Sequence, residues 1–222
     1  MSSKMARRTL KFFMATTGMY KREPRLIHYG AGFLEGRFIV GSVDVNTNAT
    51  TPFSRGKVHK GTLCCTNESV ADGDMILDRY DNKRYFIMSK KGKLYNEETA
   101  WIDATLYMCD TQVLVERFEQ GVRDTFGRPT VAAPVLVTPT PVWIMTNPKN
   151  YDILQQKDRL VAQNKIELCL QSSVEIKESD RIVKIVYGPN NEIVRKNMYV
   201  VQTVDDTSLI NLVLCGVDTD VR

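Results

Sequence analysis

Histidine is nearly absent from this chain of 222 residues, with only His28 and His59 present. That scarcity excludes much chemistry. A nucleophilic triad needs an imidazole beside Ser or Cys, and no G-x-S-x-G elbow accompanies either histidine. The five cysteines, Cys64, Cys65, Cys109, Cys169 and Cys215, form no C-x-x-C pair, so the close-spaced ligands typical of a zinc site are missing. Their odd number, on strand-like segments, fits reduced core thiols in a reducing compartment. A P-loop or dinucleotide fingerprint is also missing: Gly30, Gly32 and Gly36 have the wrong spacing and follow no clear strand. The acidic run Asp72, Asp74, Asp78, Asp81 lacks the glycine and closing glutamate of a calcium loop and reads as turn carboxylates. No apolar stretch approaches the ~20 residues that cross a bilayer. Lys4, Arg7 and Arg8 imitate the start of a secretory leader. The Leu10–Met14 run behind them is short, is broken by Lys11, and leads to no small-residue cleavage site. The expectation is therefore a non-enzymatic protein with no catalytic residue, no cofactor, no metal site and no membrane partner.

What is present is an ordinary globular composition, 43% hydrophobic and 25% charged, enough to build a real core. The net charge of +4 is unevenly spread. Residues 1–25 hold Lys4, Arg7, Arg8, Lys11, Lys21, Arg22 and Arg25 against the single acid Glu23, a balance of +6 that leaves −2 for the rest. Such an arm suits phosphates or an acidic protein surface, and these seven residues are the candidate partner or DNA contacts.

Strand signals dominate the chain after residue 25. Arg37–Val40, Thr62–Thr66, Asp74–Leu77 and Arg84–Met88 are β-branched, aromatic or aliphatic runs bounded by turns such as Asp72-Gly73 and Asp81-Asn82. Residues 53–60, with Arg55, Lys57, His59 and Lys60, read as an exposed basic strand face. In Trp101–Cys109 one side carries Ile102, Ala104, Leu106 and Met108, which predicts a half-buried strand. Thr111–Gly121 fits a strand or a short helix. Residues 129–148 hold five of the eight prolines, which predicts an extended connector rather than a central strand. This stretch is apolar, so Val135, Val137, Trp143 and Ile144 are candidate contacts with the body or a neighbour. Asn147-Pro148 suits the start of a short helix. Ile166–Gln171, Asp180–Val186, Met198–Thr203 and Leu209–Val217 read as strands again.

The two strand-dense regions share one order of elements. Asp74-Met75-Ile76 matches Asp180-Arg181-Ile182, 106 positions later. Arg84–Ser89 matches the strand from Met198, 114 later, because the second copy has a longer hairpin. Ala104–Cys109 matches Ile210–Cys215, and Thr62–Cys65 matches Leu168–Gln171, both at 106. The predicted fold is mainly β: two related small antiparallel β-barrel or sandwich units joined by a proline-rich connector. Its predicted parts are a basic arm (1–25), a first β unit (26–110), a connector (111–165) and a second β unit (166–222).

Ala71-Asp72-Gly73-Asp74-Met75-Ile76 followed by Tyr85-Phe86-Ile87-Met88-Ser89 resembles tailed-bacteriophage neck proteins of the head-closure or stopper type. Ser179-Asp180-Arg181-Ile182 and then Tyr199-Val200-Val201-Gln202 look similar. In that family the two motifs belong to a small barrel that docks in a ring beneath the portal, and tail-hub and baseplate barrels share the same short patterns. The resemblance implies a virion structural protein assembled in the host cytoplasm. Its partners would be further copies of itself, portal, neck or tail proteins, and DNA through the arm. The second unit, the apolar proline-rich stretch and the arm depart from the simple stopper pattern. A rival expectation is an OB-like nucleic-acid-binding module that stacks bases on Tyr80, Tyr85, Phe86 and Tyr107 beside Arg79, Lys83 and Arg84.

Overall fold

The computed structural model describes residues 26–30, 36–45, 57–64, 70–95, 98–118, 134–148 and 166–219. The predicted basic arm and the predicted helix after Pro148 lie outside the described residues. The chain divides into two compact units between Cys109 and Asp110.

Each unit is a closed, six-stranded, antiparallel barrel. The first is built from β1 (Leu26–Tyr29), β2 (Arg37–Val45), β3 (Val58–Cys64), β4 (Met75–Asp78), β5 (Lys83–Tyr95) and β6 (Glu98–Met108), in the order β1-β2-β3-β6-β5-β4. The barrel closes where β4 pairs with β1. The second uses β7 (Thr111–Arg117), β9 (Val142–Pro148), β10 (Ile166–Gln171), β11 (Arg181–Tyr187), β12 (Ile193–Asp205) and β13 (Leu212–Thr219). Its order is β7-β9-β10-β13-β12-β11, closed by β11 on β7, with the two-residue β8 (Val135–Leu136) added at the far end of β7. Substituting β7, β9, β10, β11, β12 and β13 for β1 to β6 turns one order into the other. Closure pairs every stave on both sides, which removes the free edges that short strands would otherwise expose.

The likeness extends to register. Ile76 pairs with Tyr85 and Gly61 with Ala104 in the first barrel. Ile182 pairs with Tyr199 and Leu168 with Cys215 in the second. Both barrels share a β-bulge at the same place, between Ile87 and Ser89 against β6 and between Val201 and Thr203 against β13, and each has a further register shift of its own, between Lys93 and Leu94 in the first and between Val183 and Ile185 in the second. Register corrects two of the matches expected from sequence. Ile102, Ala104 and Leu106 are equivalent to Val213, Cys215 and Val217, 111 positions later rather than 106. Leu63 is equivalent to Leu170, 107 later. Pairing alternates inward and outward residues, so an odd error in offset exchanges the two faces of a strand. With the corrected offsets, inward residues match inward residues.

Both lumens are filled. Leu26, Leu63, Val70, Ile76, Tyr85, Ile87, Ile102 and Leu106 form one core. Val113, Leu170, Ile176, Ile182, Val201, Val213, Cys215 and Val217 occupy the equivalent places, with Tyr199 packed against them. The copies differ by compensating changes in size. Gly41 and Gly61 of the first barrel stand where the second has Ile144 and Leu168. A Cβ at Gly41 would lie 2.6 Å from the Thr62 carbonyl oxygen and 2.8 Å from Leu26 Cδ1, and one at Gly61 would lie 2.9 Å from Leu106 Cδ1. The second barrel has the smaller Val113 and Val217 where the first has Leu26 and Leu106, so the size changes compensate one another.

Residues 111–148 do not form the expected connector. Thr111–Arg117 and Val142–Pro148 are staves of the second barrel, and Ile144 is core. The prolines punctuate instead of interrupting. Pro134 precedes β8, Pro139 sits in the bend after it, Pro141 precedes β9 and Pro148 is its last residue. The positions of β9 that must donate ladder hydrogen bonds, Val142–Asn147, are proline-free. His59, expected on an exposed face, is buried and meets the Tyr85 ring edge-on at a centroid distance of 4.9 Å.

Candidate interaction surfaces

Each barrel has a tight turn before its fourth stave, held by one buried aspartate. In the first, Asp74 Oδ2 accepts the Ala71 N–H (2.7 Å) while the Asp74 N–H donates to the Ala71 carbonyl (3.3 Å). In the second, Asp180 Oδ2 accepts the Lys177 N–H (2.7 Å) and the Asp180 N–H donates to the Lys177 carbonyl (3.2 Å). Gly73 and Ser179, at φ 86° and 70°, hold the left-handed position. Their N–H groups donate to the Ile87 and Val201 carbonyls. These are the motifs that carried the resemblance, and their chemistry is structural: a carboxylate replaces water on an otherwise orphaned backbone donor.

The aspartates differ in their second partner. Asp74 meets His28 Nε2 of β1 at 2.6 Å, with both side chains buried. Asp180 is gripped by Arg117 of β7, whose Nε and one terminal guanidinium nitrogen each donate at 2.9 Å, a bidentate pair. Arg117 also donates to the Glu175 carbonyl at 2.8 Å. Nearby, Glu116 is buried to 1% exposure on the outer face of β7. Its Oε1 lies 2.7 Å from the Arg195 guanidinium and its Oε2 lies 3.9 Å from that of Arg181. Arg181 in turn stacks over Phe118 at 4.4 Å. The first barrel has Tyr29 and Met75 at the places of Glu116 and Arg181.

Arg195 belongs to the largest local difference between the described hairpins. In the first barrel β4 and β5 are joined by four residues, 79–82. In the second, β11 and β12 run on as a longer hairpin, with Ile185 opposite Arg195 and Tyr187 opposite Ile193. Pairing of β11 with β7 stops at Ile185, and pairing of β12 with β13 starts at Tyr199. Beyond those points the hairpin pairs only with itself among the described residues. Its tip exposes Val186 (37%), Tyr187 (48%) and Ile193 (47%). The Glu116–Arg195 ion pair fastens its base to β7.

At the other end of β12 the loop to β13 is also ordered by one aspartate. Asp205 accepts hydrogen bonds from the Thr207 and Ser208 N–H groups and from both hydroxyls. Those donors hold its carboxyl down at about 2, from an ordinary 3.8. The loop presents Ile210, 67% exposed.

The candidate contacts named from sequence fare unevenly. Lys4, Arg7, Arg8, Lys11, Lys21, Arg22 and Arg25 lie outside the described residues. Val135 is exposed, Val137 and Trp143 are half-buried, and Ile144, buried in the barrel, has no face to offer a partner. Of the rival base-stacking platform, Tyr85 and Phe86 are buried at 1% and 0% exposure, whereas Tyr80 is 73% exposed and Tyr107 half-buried. Tyr187, Ile193 and Ile210 escape a reading of the sequence, because apolar residues in strands look like core until pairing shows where the barrel ends. Among the described residues no group of three His, Cys, Asp or Glu side chains converges to hold a metal, and no helix is long and apolar enough to cross a membrane.

The fold and these surfaces define a tandem closed-barrel protein with filled lumens, whose distinguishing features lie on its exterior. Comparison with known proteins finds no match: no family model fits the chain, and no curated protein or solved structure is significantly similar to it.

Proposed function

We propose that the protein is a non-enzymatic structural component of a tailed-phage particle, forming a ring of identical subunits at the head–tail junction. One observation carries the reading: two barrels with the same strand order and closely matching register both enclose buried apolar cores. Such barrels are suited to serve as rigid blocks that present loops and hairpins. The motifs Ala71-Asp72-Gly73-Asp74-Met75-Ile76 and Ser179-Asp180-Arg181-Ile182 are the ones that resemble head-closure proteins. The +6 balance of residues 1–25 gives such a ring attraction to DNA or to an acidic portal face.

The test is electron microscopy of the protein in its native particle, with recombinant protein imaged in parallel. The expected result is a ring at the vertex that joins head and tail. A ring at the tail hub or baseplate would move the protein within the virion, and a strictly monomeric protein absent from virions would overturn the proposal. Gel shifts at two salt concentrations address the DNA contact. Weak, salt-sensitive binding that disappears when residues 1–25 are deleted is expected.

A further inference from the structure

The duplication provides an internal control for the outer faces. In the first barrel, register places Phe38, Ile27, Leu77 and Arg84 side by side across β2, β1, β4 and β5. Their strand neighbours Ile39, Leu26, Ile76 and Tyr85 fill the lumen, so this row points outward and spans about 14 Å. A guanidinium lies over an aromatic ring at each end of it, Arg79 over Phe38 at 5.5 Å and Arg84 over Tyr29 at 5.7 Å. Phe38 remains 56% exposed beneath Arg79, and Tyr80, the next residue of the turn, is 73% exposed. The equivalent row of the second barrel is Leu114, Val183 and Met198. That row is apolar and packed as a small cluster, and Glu116 stands where the first barrel has Tyr29. A closed barrel of this design therefore requires neither the arginines nor the exposed rings.

The charge of this face is positive with its acids counted. The start of β2, the end of β4, the β4–β5 turn and the start of β5 carry Arg37, Arg79, Lys83 and Arg84 against Asp78 and Asp81. Lys83 lies 3.8 Å from Asp81, and His28 of β1 is buried against Asp74. Four cations against two carboxylates leave a positive surplus even when both carboxylates are paired. The +6 balance of residues 1–25 joins the barrel at the same place. Arg25 precedes Leu26, and Leu26 pairs with Asp78, the last residue before the turn.

We propose that this face of the first barrel binds single-stranded nucleic acid, with unpaired bases stacking on Phe38 and Tyr80 and phosphates meeting Arg79 and its neighbours. Exposed rings beside guanidinium groups grip the flat face of a base, which a duplex keeps inside its own stack. An acidic protein surface would use the charge and leave the rings without a role. The proposal goes beyond the ring reading, in which residues 1–25 hold DNA by charge alone. That segment supplies most of the phosphate attraction, and the barrel face adds a preference for unpaired bases.

The experiment is fluorescence anisotropy of the full chain with a labelled oligothymidylate of about 20 nucleotides and with a duplex of equal length. The wild type should prefer the single strand. Phe38→Ala/Tyr80→Ala changes only exposed side chains, and circular dichroism checks that it still folds. It should weaken single-strand binding by roughly tenfold or more and leave duplex binding unchanged. Arg79→Gln should make the salt dependence on the single strand shallower by a slope of about 0.7. Tyr187→Ser, at an exposed tyrosine of the second barrel, should change neither ligand, and deleting residues 1–25 should weaken both together. Ultraviolet cross-linking of the wild type needs no variant and should attach the oligonucleotide at Phe38 or Tyr80. Equal affinity for the two ligands, a double variant that loses both equally or neither, or cross-links confined to residues 1–25 overturns the proposal. Tighter binding of polyglutamate than of oligothymidylate would mark the face as a contact for acidic protein and overturn it as well. Rings absent from virions although the single-strand preference holds would overturn the neck assignment and keep this site, and rings without that preference would do the reverse.

Discussion

Asp180 and Asp74 do the same local work with different partners, and single substitutions should expose this. Asp180→Ala removes the carboxylate that accepts from the Arg117 guanidinium and from the Lys177 N–H. Breaking a buried, bidentate ion pair of this kind costs about 3 kcal/mol, and urea unfolding of the second barrel would measure it. Ser179→Gly should act in the opposite direction. Ser179 sits at φ 70° where the first barrel has Gly73 at φ 86°, so glycine relieves about 1 kcal/mol of left-handed backbone strain. Cys169 and Cys215 give a pH dependence. Burial above all, with a smaller contribution from Cys215 on the one and Asp180 on the other, pushes both thiols from 9.0 up to about 12. The folded state therefore holds their protons more tightly than the unfolded chain. Their stabilisation is complete below pH 9.0 and is lost as pH rises from there through about 12. The expected result is no alkylation of either thiol at pH 8 until denaturant is added, together with alkaline unfolding that becomes shallower in the double alanine variant.

At the scale of elements, the two barrels suggest an exchange experiment. Gly61 faces Leu106 in the first barrel, and their equivalents in the second are Leu168 and Val217. Gly61→Ala should cost about 1–3 kcal/mol through overpacking, since the new methyl would stand 2.9 Å from Leu106 Cδ1. Adding Leu106→Val should recover a large part of that cost, and the thermal midpoints of the single and double variants give the answer. A hairpin-pruning experiment tests whether the barrel needs the extension. Replacing Val186–Val194 with a two-residue Asn-Gly turn keeps Ile185 and Arg195 opposite each other and preserves the Glu116 pair. The barrel should remain folded, with a cooperative thermal transition by circular dichroism. Element identity was largely legible in the chain: alternation in Trp101–Cys109, turn residues at Asp72-Gly73 and Asp81-Asn82, and the Ile76/Ile182 match all survive. The proline-rich segment misleads because proline density says nothing of position. Prolines at the ends and outside of β9 cost it no ladder donor. His59 misleads because a short alternating basic run looks solvent-facing when its neighbour, Tyr85, is 26 positions away.

At the scale of the molecule, residues 26–109 and 110–222 each contain a complete closed barrel with its own core. Each fragment, expressed separately, should show a cooperative β-type thermal transition by circular dichroism. A fragment that stays unstructured would mean that its barrel needs the other. The sequence by itself determined that this chain is β-rich, carries one unit twice and concentrates its net positive surplus in residues 1–25, because composition, alternation and turn chemistry are local properties. Only the tertiary structure decided the rest. Register set the offset between the strand after residue 98 and its counterpart in the second copy, recruited β7 and β9 into a barrel, buried Tyr85 and Ile144, and left Tyr187, Ile193 and Ile210 outside. The physical reason is that an apolar strand residue looks the same in sequence whether it points into a closed barrel or projects beyond its end. The pairing partner that decides between these is set by distant chain segments.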